Sequence, residues 1–79
     1  MMKAIFQDSW RNGDGGAVRK YKLEPPHQGH EVVHVAAFRS VTRRMVTVVT
    51  TVDGKDLSDC IDGSTAHKEA LVSIGYTAE

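Results

Sequence analysis

His30-Glu31-Val32-Val33-His34 spells H-E-x-x-H, the signature of zinc metallopeptidases. On a helix, residues four apart sit one turn apart on one face. The two imidazoles could then hold one zinc ion while the glutamate acts as general base. On a strand the same histidines share a face but stand about 13 Å apart, at roughly 3.3 Å per residue. Zinc–nitrogen bonds of about 2.0–2.1 Å cannot span that gap. Glu31 would also point to the opposite side.

The neighbouring residues favour the strand. Val32, Val33 and Val35 are poor helix formers. A helix would have to start just after Gly29, with no Ser, Thr, Asp or Asn to cap it. The enzymatic reading has one further candidate, Glu69, as third ligand beside His30 and His34. A chain of 79 residues leaves little room for a substrate cleft and its supporting core. The expectation is therefore no enzyme, no metal and no cofactor.

Other chemistry is weaker. His27, His30 and His67 could meet from loops, although solvated or core histidines explain them as well. Asp53, Asp56, Asp59 and Asp62 evoke a calcium loop, but their spacing is not the alternate-position pattern of an EF-hand. Cys60 lies near Asp59 and Asp62, which would raise a thiol pKa rather than activate it. Gly13-Asp14-Gly15-Gly16 lacks the Lys-Ser/Thr and the helix of a phosphate loop. Arg39, Arg43 and Arg44 form a basic cluster, with Arg19, Lys20 and Lys22 nearby in sequence. Nucleic acid is thus an alternative partner, but rings for base stacking are few.

The elements that position these residues read as mostly strand. Residues 3–10 form a first strand with Ala4, Phe6 and Trp10 on one face, interrupted by Asp8. Asn12-Gly13-Asp14-Gly15-Gly16 supplies a turn. In residues 17–24, Ala17, Arg19, Tyr21 and Leu23 alternate with Val18, Lys20, Lys22 and Glu24. Pro25-Pro26 is expected to end that strand, since neither can donate to a ladder. Between residues 30 and 52, eight valines and four threonines favour two antiparallel strands, at 31–39 and 44–52. Asp53-Gly54 marks a turn, and residues 55–63 a polar connection.

Ala66, Ala70, Leu71 and Ile74 then predict a helix of about ten residues, capped by Ser64 or Thr65 and stopped at Gly75. The expected fold is α+β: a four-stranded antiparallel sheet with one C-terminal helix (ββββα), as a single domain over 1–79. One short helix covers one face. Yet the third strand is apolar on both sides, with Val32, Ala36 and Phe38 opposing Val33, Val35 and Ala37. The N-terminal hairpin or a second subunit should cover the other face, so a homodimer is expected.

Net charge is zero but polarised. Residues 1–44 carry eight Lys/Arg against four Asp/Glu; residues 45–79 carry two against six. The simplest expectation is that the halves neutralise each other in the fold. The lone cysteine excludes an internal disulfide. No apolar run approaches the roughly 20 residues of a membrane span, and no signal-peptide pattern follows Lys3. A cytoplasmic location is expected.

Tyr21-x-Leu23-x-Pro25-Pro26-x-x-Gly29-His30, Asp53-Gly54-Lys55 and His67-x-x-Ala70-Leu71-x-x-x-Gly75-Tyr76 together resemble small proteins carried by actinobacteriophages and prophages. The resemblance covers residues 21–76. The chain departs from it at Cys60, where a tryptophan-containing segment is expected, and in a shorter stretch before the helix. The family carries over no catalytic residues. It implies an accessory protein that binds a host protein in the host cytoplasm. The contact residues expected for such a partner are Phe38, Arg39, Arg43 and Arg44.

Overall fold

The computed structural model describes residues 2–13 and 16–79. Of the expected first turn, Asp14 and Gly15 lie outside the described residues. The strands are β1 (Lys3–Arg11), β2 (Ala17–His27), β3 (His30–Arg39), β4 (Met45–Thr51), β5 (Ile61–Asp62) and β6 (Thr77–Ala78). The helix α1 (His67–Ser73) precedes β6. They build one sheet in the order β5-β4-β3-β2-β1-β6.

The expected four-stranded antiparallel sheet is therefore corrected to a six-stranded mixed half-barrel with one short helix. The two additional strands have two residues each, too few to show any alternation. Their hydrogen bonds define them. β5 closes on β4 through Val46↔Asp62 and Thr47↔Ile61. β6 lies parallel to β1, with Thr77 N donating to Met2 O (3.1 Å) and Glu79 N to Ala4 O (2.8 Å).

Residues 30–34 are strand, as their valines require. His27 pairs with His30 across a two-residue turn, Gln28-Gly29, in which both residues have positive φ (50° and 82°). That is the turn chirality which matches the twist of adjoining strands. Pro25-Pro26 does not end β2. Between the Lys22↔Val32 and His27↔His30 pairs, five steps on β2 face two on β3. The prolines, with a cis Glu24–Pro25 bond, occupy this bulge, where no ladder donor is demanded of them.

A second bulge alters β1. Phe6 pairs with Tyr21 and Asp8 with Lys20, so Gln7 is extra. Ala4 and Phe6 face the same side as Tyr21 and Leu23, while Trp10 joins Val18 on the other. The expectation that Ala4, Phe6 and Trp10 share a face is corrected accordingly. A one-residue insertion moves every later side chain to the opposite face.

One face of the sheet packs on α1. Ala4, Leu23, Val33, Val35 and Val49 are at most 1% exposed, and they meet Ala70, Leu71 and Tyr76. Burying each of the larger side chains contributes about 1.5–3 kcal/mol. The helix has seven residues, fewer than expected. Its N-cap is Ala66, with no side-chain cap; Ser64 and Thr65 fall too early to serve. The C-terminal stop is as read from Gly75. Tyr76 N donates to Leu71 O (2.9 Å) and Gly75 N to Val72 O (2.9 Å), with Gly75 at φ 94°. This paired arrangement satisfies the last carbonyls and turns buried Tyr76 back onto Leu71.

The opposite face carries no helix among the described residues. It is nevertheless partly covered from within. Val18, Val46 and Val48 are buried on it, and Trp10 stands edge-on to His34 with ring centroids 5.0 Å apart. In register terms Trp10 lies two strands from β3. The curl of the β1–β2 hairpin brings its ring across to His34. One chain thus covers these valines without a second subunit.

Candidate interaction surface at the hairpin end of the sheet

Because β1 to β4 run up and down in sequence, the β1–β2 and β3–β4 turns lie at the same end of the sheet. β5 reaches that end too, since Asp62 pairs with Val46 and Gly63 N donates to Met45 O (2.8 Å). The expected contact residues gather here. Phe38 is half-buried on the helix-free face, opposite Val46, while Arg39, Arg43 and Arg44 are exposed. Arg11, at the end of β1, is at the same end.

The β3–β4 loop is locally specified. Ser40 N donates to Arg44 O (2.8 Å) and Arg43 N to Ser40 O (2.9 Å). That makes a tight turn over Val41-Thr42 followed by Arg43 at φ 65°. Three-residue hairpin loops place a left-handed residue at this position, normally glycine. Arginine there costs roughly 1–2 kcal/mol of backbone strain. Arg39 Nη1 donates to Arg43 O (3.2 Å), and the Ser40 and Thr42 hydroxyls share a bond (2.9 Å). Arg44 pairs with Asp62 at 3.6 Å, both well exposed. Such a pair is worth about 0–1 kcal/mol. Among the described residues, the Arg43 guanidinium has no ion-pair or hydrogen-bond partner. Val41, at the crest of the loop, is fully exposed.

Trp10 belongs to this surface and is missed by sequence alternation. Its row, Trp10↔Val18↔Ala36↔Val48, lies one row below Phe38↔Val46. It is 40% exposed. The break in its apolar series at Asp8 is the one sequence sign of the bulge that turns it to this face. A depression bounded by Arg44, Met45, Asp62, Gly63 and Ser64 adjoins the arginines. A separate groove on the helix side is lined by Leu57, Ser58, Asp59, Ile61, Ser73 and Ile74.

The charge polarity survives folding. Asp56 bridges Thr50 and Asp62 pairs with Val46, so the acidic series runs along the outer edge of β4. Lys22–Glu24 (3.9 Å) lies within the basic half; among the described residues, Arg44–Asp62 alone joins the two halves. Of Arg39, Arg43 and Arg44 at the hairpin end, Arg44 pairs with Asp62.

The histidines do not converge. His34 is on the helix-free face, Glu69 on α1 across the sheet, and His30 at the start of β3. The helical spacing that an H-E-x-x-H zinc site requires is absent from a strand. Among the described residues no three His, Cys, Asp or Glu side chains group to hold an ion. His27 stacks edge-on against Tyr76 (5.9 Å). Burial lowers the His34 pKa below its usual value, with Lys20 adding to the effect. His67, buried at the start of α1, is lowered chiefly by burial and then by Arg19, against a hydrogen bond to the Thr65 backbone and the nearby Glu69. Its Nε2 has no hydrogen-bond partner among the described residues. The Asp53 carboxyl is held low, first by the Thr51 hydroxyl, which donates to it at 2.6 Å. Cys60 is a free, exposed thiol.

No helix among the described residues is long and apolar enough to cross a membrane. Comparison with protein-family models, with curated proteins and with solved structures finds no match.

Proposed function

We propose that the chain is a small non-enzymatic interaction protein, an accessory product of a phage or prophage, which docks on a host protein in the host cytoplasm. Docking uses the hairpin end of the sheet, with Phe38, Arg39, Arg43 and Arg44 as contacts. The observation that carries this reading is Arg43. A strained left-handed position at an exposed tip is occupied by a large cation that has no partner among the described residues. Backbone strain of this kind clusters where function needs it. The composition of the end agrees. Arginine and tryptophan are enriched at protein interfaces, whereas lysine is depleted.

Nucleic acid, the alternative partner, would use the same arginines. It would also need a series of open rings on which bases stack. On this face Trp10 is engaged by His34, and Phe38 is half-buried against the sheet.

A photo-crosslinking residue at Val41 tests the proposal in lysate of an actinobacterial host. The expected result is a protein adduct of fixed mass that is lost when the probe is moved to Val72 on the helix. Adducts to nucleic acid alone, or equal capture from both positions, would overturn it.

A further inference from the structure

We propose that a second copy of this chain seats the crest of its 40–44 loop in the groove on the helix side. Val41 of that copy meets the apolar floor, and its Arg43 guanidinium meets Asp56 and Asp59. The contact lies outside host-protein docking and competes with it, because one loop cannot occupy both sites.

The groove is a single surface. Leu57, Ile61 and Ile74 are half-buried and form its floor, where they pack on the main core. Its other lining residues are Asp56, Ser58, Asp59 and Ser73. Both hydroxyls are engaged within the chain. Ser58 Oγ accepts from Val49 N (2.9 Å) and donates to Asp59 O (3.1 Å), and Ser73 Oγ donates to Ala70 O (2.6 Å). The two carboxylates are exposed, and among the described residues neither has an ion-pair or hydrogen-bond partner. Lys55 and Lys68, the two Lys/Arg residues of 45–79, do not line the groove. Its volume of about 560 Å³ lies within the roughly 300–1,000 Å³ of ligand-binding clefts.

The loop carries the complement. Val41 is fully exposed at its crest, and Arg43, two residues on, has no partner among the described residues. An apolar tip beside an unpaired guanidinium matches an apolar floor beside unpaired carboxylates. Arginine forks bind carboxylates through two parallel hydrogen bonds. The loop cannot reach the groove of its own chain. Arg39↔Met45 holds its base, while the groove starts at Ile61, opposite Thr47, and runs away from the loop to Asp56, opposite Thr50. The occupant is therefore another copy. Formal net charge is zero, so no overall repulsion holds two copies apart. Loop and groove are different patches, which makes the contact heterologous. A loop tip in a groove buries less than the roughly 800 Å² per partner of a stable interface, so the contact is weak and reversible.

The full chain alone is followed by amide shifts and light scattering as its concentration rises from about 0.05 to 1 mM, where weak contacts populate. Shifts at residues 40–44 should move together with those at 56–61 and 73–74, and the mass should rise. Val41→Glu, or Asp56→Arg with Asp59→Arg, should weaken the association about tenfold; all three residues are exposed, so the core is untouched. Raising salt from about 50 to 500 mM should weaken it too. Mixing the loop variant with the groove variant is decisive, since each supplies the part that the other lacks. Shifts at 40–44 of the isotope-labelled groove variant should then return. A one-chain mass with unchanged shifts at 1 mM, shifts centred on Trp10 and Phe38, or no recovery on mixing would overturn the proposal. Shifts at 56–61 raised by a peptide of alternating Lys and Leu, with none from a second copy, would assign the groove to a foreign basic segment and also overturn it. The samples hold this chain alone. A missing host adduct at Val41 would thus sink the docking role and leave this contact standing, and loss of this contact would leave the docking role standing.

Discussion

Trp10 and His34 are joined across an intervening strand, ring edge to ring face at 5.0 Å and 84°. The contact exists because Gln7 is an extra residue in β1 and because the hairpin curls over the helix-free face. It couples the sole indole to a titratable group. Protonated imidazole quenches indole emission more strongly than neutral imidazole. Trp10 fluorescence should therefore fall on acidification with a midpoint below 6.5, the ordinary value from which burial and Lys20 displace His34. His34→Phe should abolish the titration. A midpoint at or above 6.5 would contradict the burial of His34 described here.

His67 predicts acid sensitivity of the fold itself. Its folded pKa lies below the ordinary 6.5, so between the two values the unfolded chain binds more protons. Stability is then full above about pH 6.5, falls as pH drops toward the folded pKa, and levels off beneath it. His34 acts in the same direction. Urea midpoints measured from pH 7.5 to 5 should decline, and His67→Leu should flatten most of that decline. At pH 7.5 the substitution should be near neutral. It keeps an apolar side chain in the core and removes a buried nitrogen that has no partner among the described residues, whose desolvation costs about 1 kcal/mol. A slope unchanged in His67→Leu would assign the acid sensitivity elsewhere.

The Gln7 bulge shows where sequence pattern stops being readable. Alternation in β2, β3 and β4 identifies their faces, because one long run of β-branched residues sits between clear turns. In β1 the same alternation misplaces Trp10, since a bulge has no residue signature beyond the odd Asp8. β5 and β6 are invisible to any period because each is defined by backbone hydrogen bonds to an edge. Pro25-Pro26 reads as a terminator under the ladder rule, yet the bulge around it frees both residues from that rule. Of the proposed docking surface, the arginine cluster is legible as letters. That it stands at the same end as Trp10 is a matter of topology, and that Arg43 is left-handed is a matter of local geometry.

Deleting Gln7 should therefore act on one end of the protein. Ala4 is held by Leu23 and by β6, while the distal part of the hairpin is exposed. The looser part will change face. Trp10 should leave His34, the fluorescence titration should vanish, and the core around Leu71 should persist with a modest loss of stability. Retention of the pH-dependent emission would mean that the bulge does not set the face of Trp10.

Tyr76 ties the C-terminal segment to the far bulge through its hydroxyl, which donates to the Pro25 carbonyl. Tyr76→Phe keeps the ring in the core and removes this bond, for an expected loss of about 1–1.5 kcal/mol in denaturant unfolding. Gly75→Ala should cost roughly 1–2 kcal/mol through its φ of 94°. A Cβ there would meet the end of the flexible Met2 side chain at 2.7 Å, which can move aside. The backbone is thus the larger contribution. A loss in Tyr76→Phe below a few tenths of a kcal/mol would mean that water replaces the bond at no cost.

Arg43 carries the most direct link between strain and role. Its φ of 65° suits glycine, and an arginine held there gives up roughly 1–2 kcal/mol. Glycine would recover that strain but lose more chain entropy on folding, about 0.5–1 kcal/mol. Arg43→Gly should therefore stabilise the fold by about 0.5–1 kcal/mol while weakening capture through Val41. Arg43→Lys keeps the charge and the strain but loses the fork, so its stability should match the parent while binding falls. A stability gain in Arg43→Gly with full partner capture would show that the left-handed arginine serves no contact, and the docking surface would have to be sought elsewhere on the sheet.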